Sequence, residues 1–178
     1  MGYRQELREL AFESHGVVTL RDAATVGVPA VEVRKLASRG ALTRLGQGVY
    51  RMEEAPADSL TEFAAAVALV GGDAVLADES VLAAHDLAQV NLRRIQVATG
   101  ARVRRQLPST IEVIPRVVSA EQRTDIEGLP AMKLAGAIRA SRGRVMTSRL
   151  VDAARQAAAR GLIDHLEAES LISELEQE

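Results

Sequence analysis

Two short amphipathic segments meet at Gly27-Val28-Pro29, and no other feature of the 178 residues narrows the fold as much. Glycine accepts the positive φ of a helix end, and proline fits the first turn of the helix that follows. Ahead of the break, Thr19 precedes Leu20-Arg21-Asp22-Ala23-Ala24, where its hydroxyl can cap orphan N–H groups. This predicts a helix over about 20–26. Beyond the break, Val33, Leu36 and Ala37 share one face of a helix over Ala30–Arg39, while Glu32, Arg34, Lys35, Ser38 and Arg39 point elsewhere and Gly40 supplies the stop. Two helices joined by a tight glycine turn predict a helix-turn-helix.

The flanks fit that reading. A first helix is expected from Tyr3 to Ser14, with Leu7, Leu10 and Ala11 on its inner face and His15-Gly16 at its end. Leu42–Leu45 and Val49–Met52 are β-prone runs separated by Gly46-Gln47-Gly48, a hairpin signal in which the glycines supply positive φ. The hairpin would be the wing, so residues 1–55 are expected to form a winged helix-turn-helix. Glu53–Ser59, with Pro56, reads as a linker.

Residues 56–178 then read as a second, mixed unit, which makes the whole chain α+β. An Ala-rich helix over 60–70 ends at Gly71-Gly72, a short strand covers 74–76, and Asp78 is expected to cap a helix over Glu79–Leu87. Strands are expected at 94–99 and 110–115, and helices at 131–141, 147–160 and 165–176.

Composition excludes several functions. Apolar residues at 47% and charged residues at 26% describe a folded chain, but aromatics make up only 2%, which leaves too few rings for base-stacking RNA platforms. The absence of cysteine removes disulfides, thiolate zinc sites and cysteine nucleophiles. No apolar run of membrane length and no N-terminal signal core occurs, so a cytoplasmic protein is expected.

The net charge of −2 conceals an uneven distribution. Asp164, Glu167, Glu169, Glu174, Glu176 and Glu178 crowd the last eighteen residues without a Lys or Arg, and a packed terminal helix is expected there. Residues 34–51 hold Arg34, Lys35, Arg39, Arg44 and Arg51 without an acid. A polyanion partner, duplex DNA, is expected at that stretch. Arg34 and Lys35, early on the third helix, are placed to reach base edges, with Ser38 on the same helix. Arg39, Arg44 and Arg51 suit phosphate, Gln47 at the hairpin tip suits a minor groove, and Thr19 and Arg21 suit a phosphate on helix N–H groups. A second basic set, Arg93, Arg94, Arg102, Arg104 and Arg105, brackets a strand. It either extends the DNA surface, meets an acidic partner or guards a sheet edge. Residues 133–160 add Lys133, Arg139, Arg142, Arg144, Arg149, Arg155 and Arg160 against the single acid Asp152, a further candidate nucleic-acid face.

Residues 15–52 resemble the N-terminal domain of AbiEi-type antitoxins. Thr19, Ala23, Gly27, Leu36, Gly40, Leu42, Arg44, Leu45, Gly48, Val49 and Tyr50 match that family's pattern position by position. A fainter likeness to its second domain runs through Asp78–Leu87 and Ile95–Thr99. Pro130-Ala131-Met132-Lys133-Leu134-Ala135 departs from the Pro-Val-Thr and Arg-Thr-Leu pattern of many relatives. The resemblance implies a bacterial antitoxin that binds inverted repeats to repress its own operon. Its second domain would then be needed to neutralise a cognate nucleotidyltransferase toxin.

Catalysis is not expected, and neither is a cofactor or a metal. His15, His85 and His165 are scattered without metal-ligand spacing, and no Walker loop, nucleophile elbow or dinucleotide glycine cluster occurs. Asp78, Glu79, His85 and Asp86 read as a capped helix with a half-buried histidine, and among strand acids only Glu112 resembles part of a nuclease centre. Two alternatives stay open: a stand-alone regulator that senses a ligand in its second domain, and a nuclease with a helix-turn-helix targeting arm.

Overall fold

The computed structural model describes residues 2–177 and shows a mixed α+β chain, with helices grouped at the N-terminus and a five-stranded sheet beyond them. The N-terminal part runs α1 (Tyr3–Glu13), β1 (Val17–Thr19), α2 (Leu20–Thr25), α3 (Ala30–Ser38), β2 (Leu42–Gly46) and β3 (Val49–Met52). Thr19 Oγ1 accepts the Asp22 N–H at 3.0 Å and donates to the Asp22 carboxylate at 2.6 Å, so α2 starts where its cap stands. β1 was not expected from the sequence. It completes an antiparallel sheet in the order β1-β3-β2, with Val18 and Arg44 both opposite Tyr50.

Strand alternation divides this small sheet into two faces. Val18, Leu42, Tyr50 and Met52 pack with Leu7, Ala23 and Val33 under α1–α3. Val17 and Val49 turn the other way and join the larger core, which begins at α4 (Thr61–Val70). The two hairpin glycines serve different ends. Gly48 takes φ +70°, as expected, whereas Gly46 has no positive φ and instead leaves room for Leu69, whose Cδ2 a Cβ there would strike.

After α4 come β4 (Val75–Leu76), α5 (Asp78–Ala84), β5 (Ile95–Thr99), β6 (Ile111–Pro115), β7 (Arg123–Ile126), β8 (Leu129–Met132), α6 (Leu134–Ala140), α7 (Thr147–Ala159) and α8 (His165–Glu176). The sheet order is β6-β5-β4-β8-β7, parallel between β5 and β6 and between β4 and β8, and antiparallel elsewhere. The terminal acidic segment is a packed helix, with Leu171 and Leu175 buried.

Two further expectations need correction. Asp78 does not cap the following helix. It is the first helical residue after the N-cap Ala77, at φ +49°, and its buried carboxylate receives both terminal nitrogens of Arg116. The helix expected from 131 starts at Leu134, because Ala131 and Met132 finish β8. That strand was hidden by Pro130 and by the charges of β7, which sits at the sheet's edge as such a strand should.

Candidate nucleic-acid interface

The N-cap at Pro29 sets the phase of α3: Val33 is buried, Leu36 and Ala37 are half-buried against the same core, and Arg34 is exposed beside the hairpin. Across from them, the hairpin backbone ties to the start of α2 through Leu20 N–H to Gly48 O at 2.9 Å. Between α3, α2 and the hairpin lies an open groove of about 670 Å³. Arg21, Arg34, Arg44, Gln47 and Arg105 line it over an apolar wall of Leu20, Ala37 and Tyr50, and no carboxylate lies among the lining residues. Guanidinium groups stay charged at any physiological pH, so like charges gathered without acids create a field that attracts an anion.

The expected site residues do not all share this groove. Lys35 is exposed and paired with Glu32 at 2.8 Å, Ser38 donates back to Lys35 O, and Arg39 is exposed at the end of α3. Thr19 spends its hydroxyl on Asp22, whose carboxylate already occupies the start of α2. Arg51 lies away from the groove and holds the scaffold together: Nη1 donates to Gly16 O at 3.3 Å and Met52 O at 2.5 Å, and Nη2 donates to Ala55 O at 2.6 Å. Gly16, at φ +82°, is glycine on both counts, since a Cβ would also collide with that guanidinium.

The second basic set is split. Arg102, Arg104 and Arg105 follow the C-terminal end of β5, next to the hairpin, whereas Arg93 and Arg94 precede its N-terminal end. The arginines of 133–160 are largely engaged. Arg139 binds Glu174 at 2.7 Å, Arg144 reaches Glu79 at 3.7 Å and Glu112 at 3.9 Å, Arg155 meets Asp152, and Arg160 donates to His85 O at 2.6 Å.

One junction gave no sequence signal. His15, buried at φ +55°, places Nδ1 2.8 Å from Asp58 of the linker and Nε2 2.9 Å from Glu127 O in the β7–β8 turn. Both partners can only accept, so the doubly protonated ring fits the site. Burial pushes the His15 pKa down, but the Asp58 and Glu127 hydrogen bonds outweigh it and the pKa is raised. Half-buried His85 moves the opposite way, lowered by burial and by Arg160. Among the described residues no three His, Asp or Glu side chains gather as a metal site, and no helix is long and apolar enough to cross a membrane.

A search of curated proteins finds no match to the chain. The span that supplies most of the groove does match a family: residues 5–52, from within α1 to the end of β3, fit the model of the family described as "Transcriptional regulator, AbiEi antitoxin".

Proposed function

We propose that the chain is a DNA-binding regulator of the antitoxin type, a binding protein and not an enzyme. Residues 1–55 act as a winged helix-turn-helix on duplex DNA, and residues 56–178 serve the antitoxin role. In this reading α3 enters the major groove, the β2–β3 hairpin is the wing, and the partner DNA is an operator of inverted repeats through which the protein represses its own operon. The remainder of the chain helps to neutralise a cognate nucleotidyltransferase toxin.

The observation that carries the reading is the acid-free groove between α3 and the hairpin, with Arg21, Arg34, Arg44 and Gln47 on its walls. Arg34 is assigned to base edges, Arg21, Arg39 and Arg44 to phosphate, and Gln47 to the wing tip. Lys35 and Ser38 flank that contact, and Thr19 and Arg51 are assigned to the scaffold. The test is a gel shift with the gene's own upstream DNA, comparing wild type with Arg34→Ala/Arg44→Ala. Undiminished binding by the double variant removes the groove from the interface.

A second reading, a stand-alone regulator that senses a ligand, has one observation in its favour. A cleft of about 450 Å³ lies between the N-terminal helices and the large sheet, lined by Leu10, His15, Asp22, Val67, Gly128 and others. Co-purification with a nucleotidyltransferase separates the two readings.

A further inference from the structure

The crossover between β5 and β6 is unusual. These strands pair in parallel, Val97 opposite Val113, yet residues 100–110 return the chain without a helix, where crossovers generally carry one. The crossover is nonetheless fixed. Asp73 accepts the Gly100 N–H at 3.1 Å and the Thr99 hydroxyl, and Thr99 Oγ1 accepts the Ala101 N–H at 3.1 Å. Val103 and Leu107 pack inward on the main core, while Arg102, Arg104 and Arg105 stay exposed. Apolar side chains therefore pin the segment from beneath, and its guanidinium groups are presented outward. No acid occurs within it.

Its position gives those arginines a direction. They line a second hollow of about 430 Å³, and Gln47 and Arg105 line both this hollow and the groove beside α3. The two thus adjoin at the hairpin tip, and neither has a carboxylate among its lining residues. Arg105 is steadied by donating to Leu69 O at 3.3 Å near the C-terminus of α4. Arg102 and Arg104 make no ion pair or hydrogen bond among the described residues.

We propose that the β5–β6 crossover is a phosphate clamp: Arg102 and Arg104 grip the DNA backbone just beyond the wing, so the protein–DNA contact spans both halves of the chain. This rests on the reading of the α3 groove as a DNA interface. Side chains that meet only phosphate hold position without reading sequence, so the clamp adds affinity equally on every duplex.

The experiment is fluorescence anisotropy of the full chain on two labelled duplexes of equal length, the gene's own upstream region and an unrelated sequence, between 50 and 200 mM salt. Arg102→Ala/Arg104→Ala is expected to weaken both duplexes by the same factor. It should also flatten the log–log salt slope by about 1.8, from two phosphates at about 0.9 each. Arg34→Ala should instead narrow the gap between the two duplexes. Restoration of the slope by Arg102→Lys/Arg104→Lys shows that charge is responsible, and failure to restore it overturns the clamp. Wild-type affinity and slope in the alanine variant also overturn it and leave the groove reading intact. If the wild type binds neither duplex, the groove reading fails and the clamp falls with it.

Discussion

Arginine does two different jobs in two regions of this chain, beside α3 and beyond β6. Around α3 and the hairpin, Arg21, Arg34 and Arg39 have no carboxylate partner among the described residues, and Arg44 only reaches back to Gly46 O at 3.2 Å. Beyond β6, Arg116, Arg139, Arg144 and Arg155 all meet acids. Composition treats these residues alike, but their partners do not. A paired guanidinium fastens elements together, whereas an unpaired one in an acid-free groove is available to a polyanion.

The comparison breaks most directly at the groove. Arg34→Ala/Arg44→Ala should lower affinity for the upstream duplex about 100-fold, since a bidentate base contact is worth about 1–3 kcal/mol and a phosphate contact adds to it. Melting should hardly change, which separates loss of contact from loss of fold. Arg116→Ala should do the reverse. It leaves the buried Asp78 carboxylate uncompensated, and because Arg116 is itself partly exposed the expected cost is about 2 kcal/mol in denaturant unfolding, with DNA affinity intact below the transition.

A pH series sharpens the contrast at the seam between the halves. The raised His15 pKa adds stability that is full below the ordinary histidine value of 6.5 and is lost as pH rises through the folded value. The lowered Asp58 pKa, where hydrogen bonds from His15 and Leu60 outweigh desolvation, adds stability that is present above the ordinary carboxylate value of 3.8 and lost on acidification through the folded value. Urea midpoints should therefore fall between pH 6 and pH 8.5, and His15→Gln should flatten that fall. The smallest effect is expected at Lys35. Its exposed pair with Glu32 is worth about 0.3 kcal/mol, so Lys35→Ala should change stability by no more than that and DNA affinity less than Arg34→Ala does.

Local chemistry made α1, α2 and α3 readable in the sequence, because caps, glycine stops and periodicity act within a few residues. Arg51 shows how far that reading goes. Hairpin register sets Arg44 opposite Tyr50, and alternation then turns Arg51 to the other face, against Gly16 and Ala55. Charge alone had grouped Arg44 with Arg51, and register separates them. His15 with Asp58 and Glu127, and Asp78 with Arg116, were unreadable for a different reason: each joins residues far apart in the chain, and no local pattern marks either end. Arg105 lay between these cases, visible as a charge but brought beside the hairpin tip by the packing of that hairpin on α4.

The double-sided small sheet bears on anyone who would borrow the proposed DNA reader for a fusion. Val17 and Val49 insert beneath α4, and a fully buried valine contributes about 1.5–3 kcal/mol. A clone that stops at residue 55 would leave those two side chains wet and strip the hairpin of the Leu69 prop beside Gly46. A portable reader therefore has to carry α4 together with β4, β5 and β8, which cover the far side of that helix.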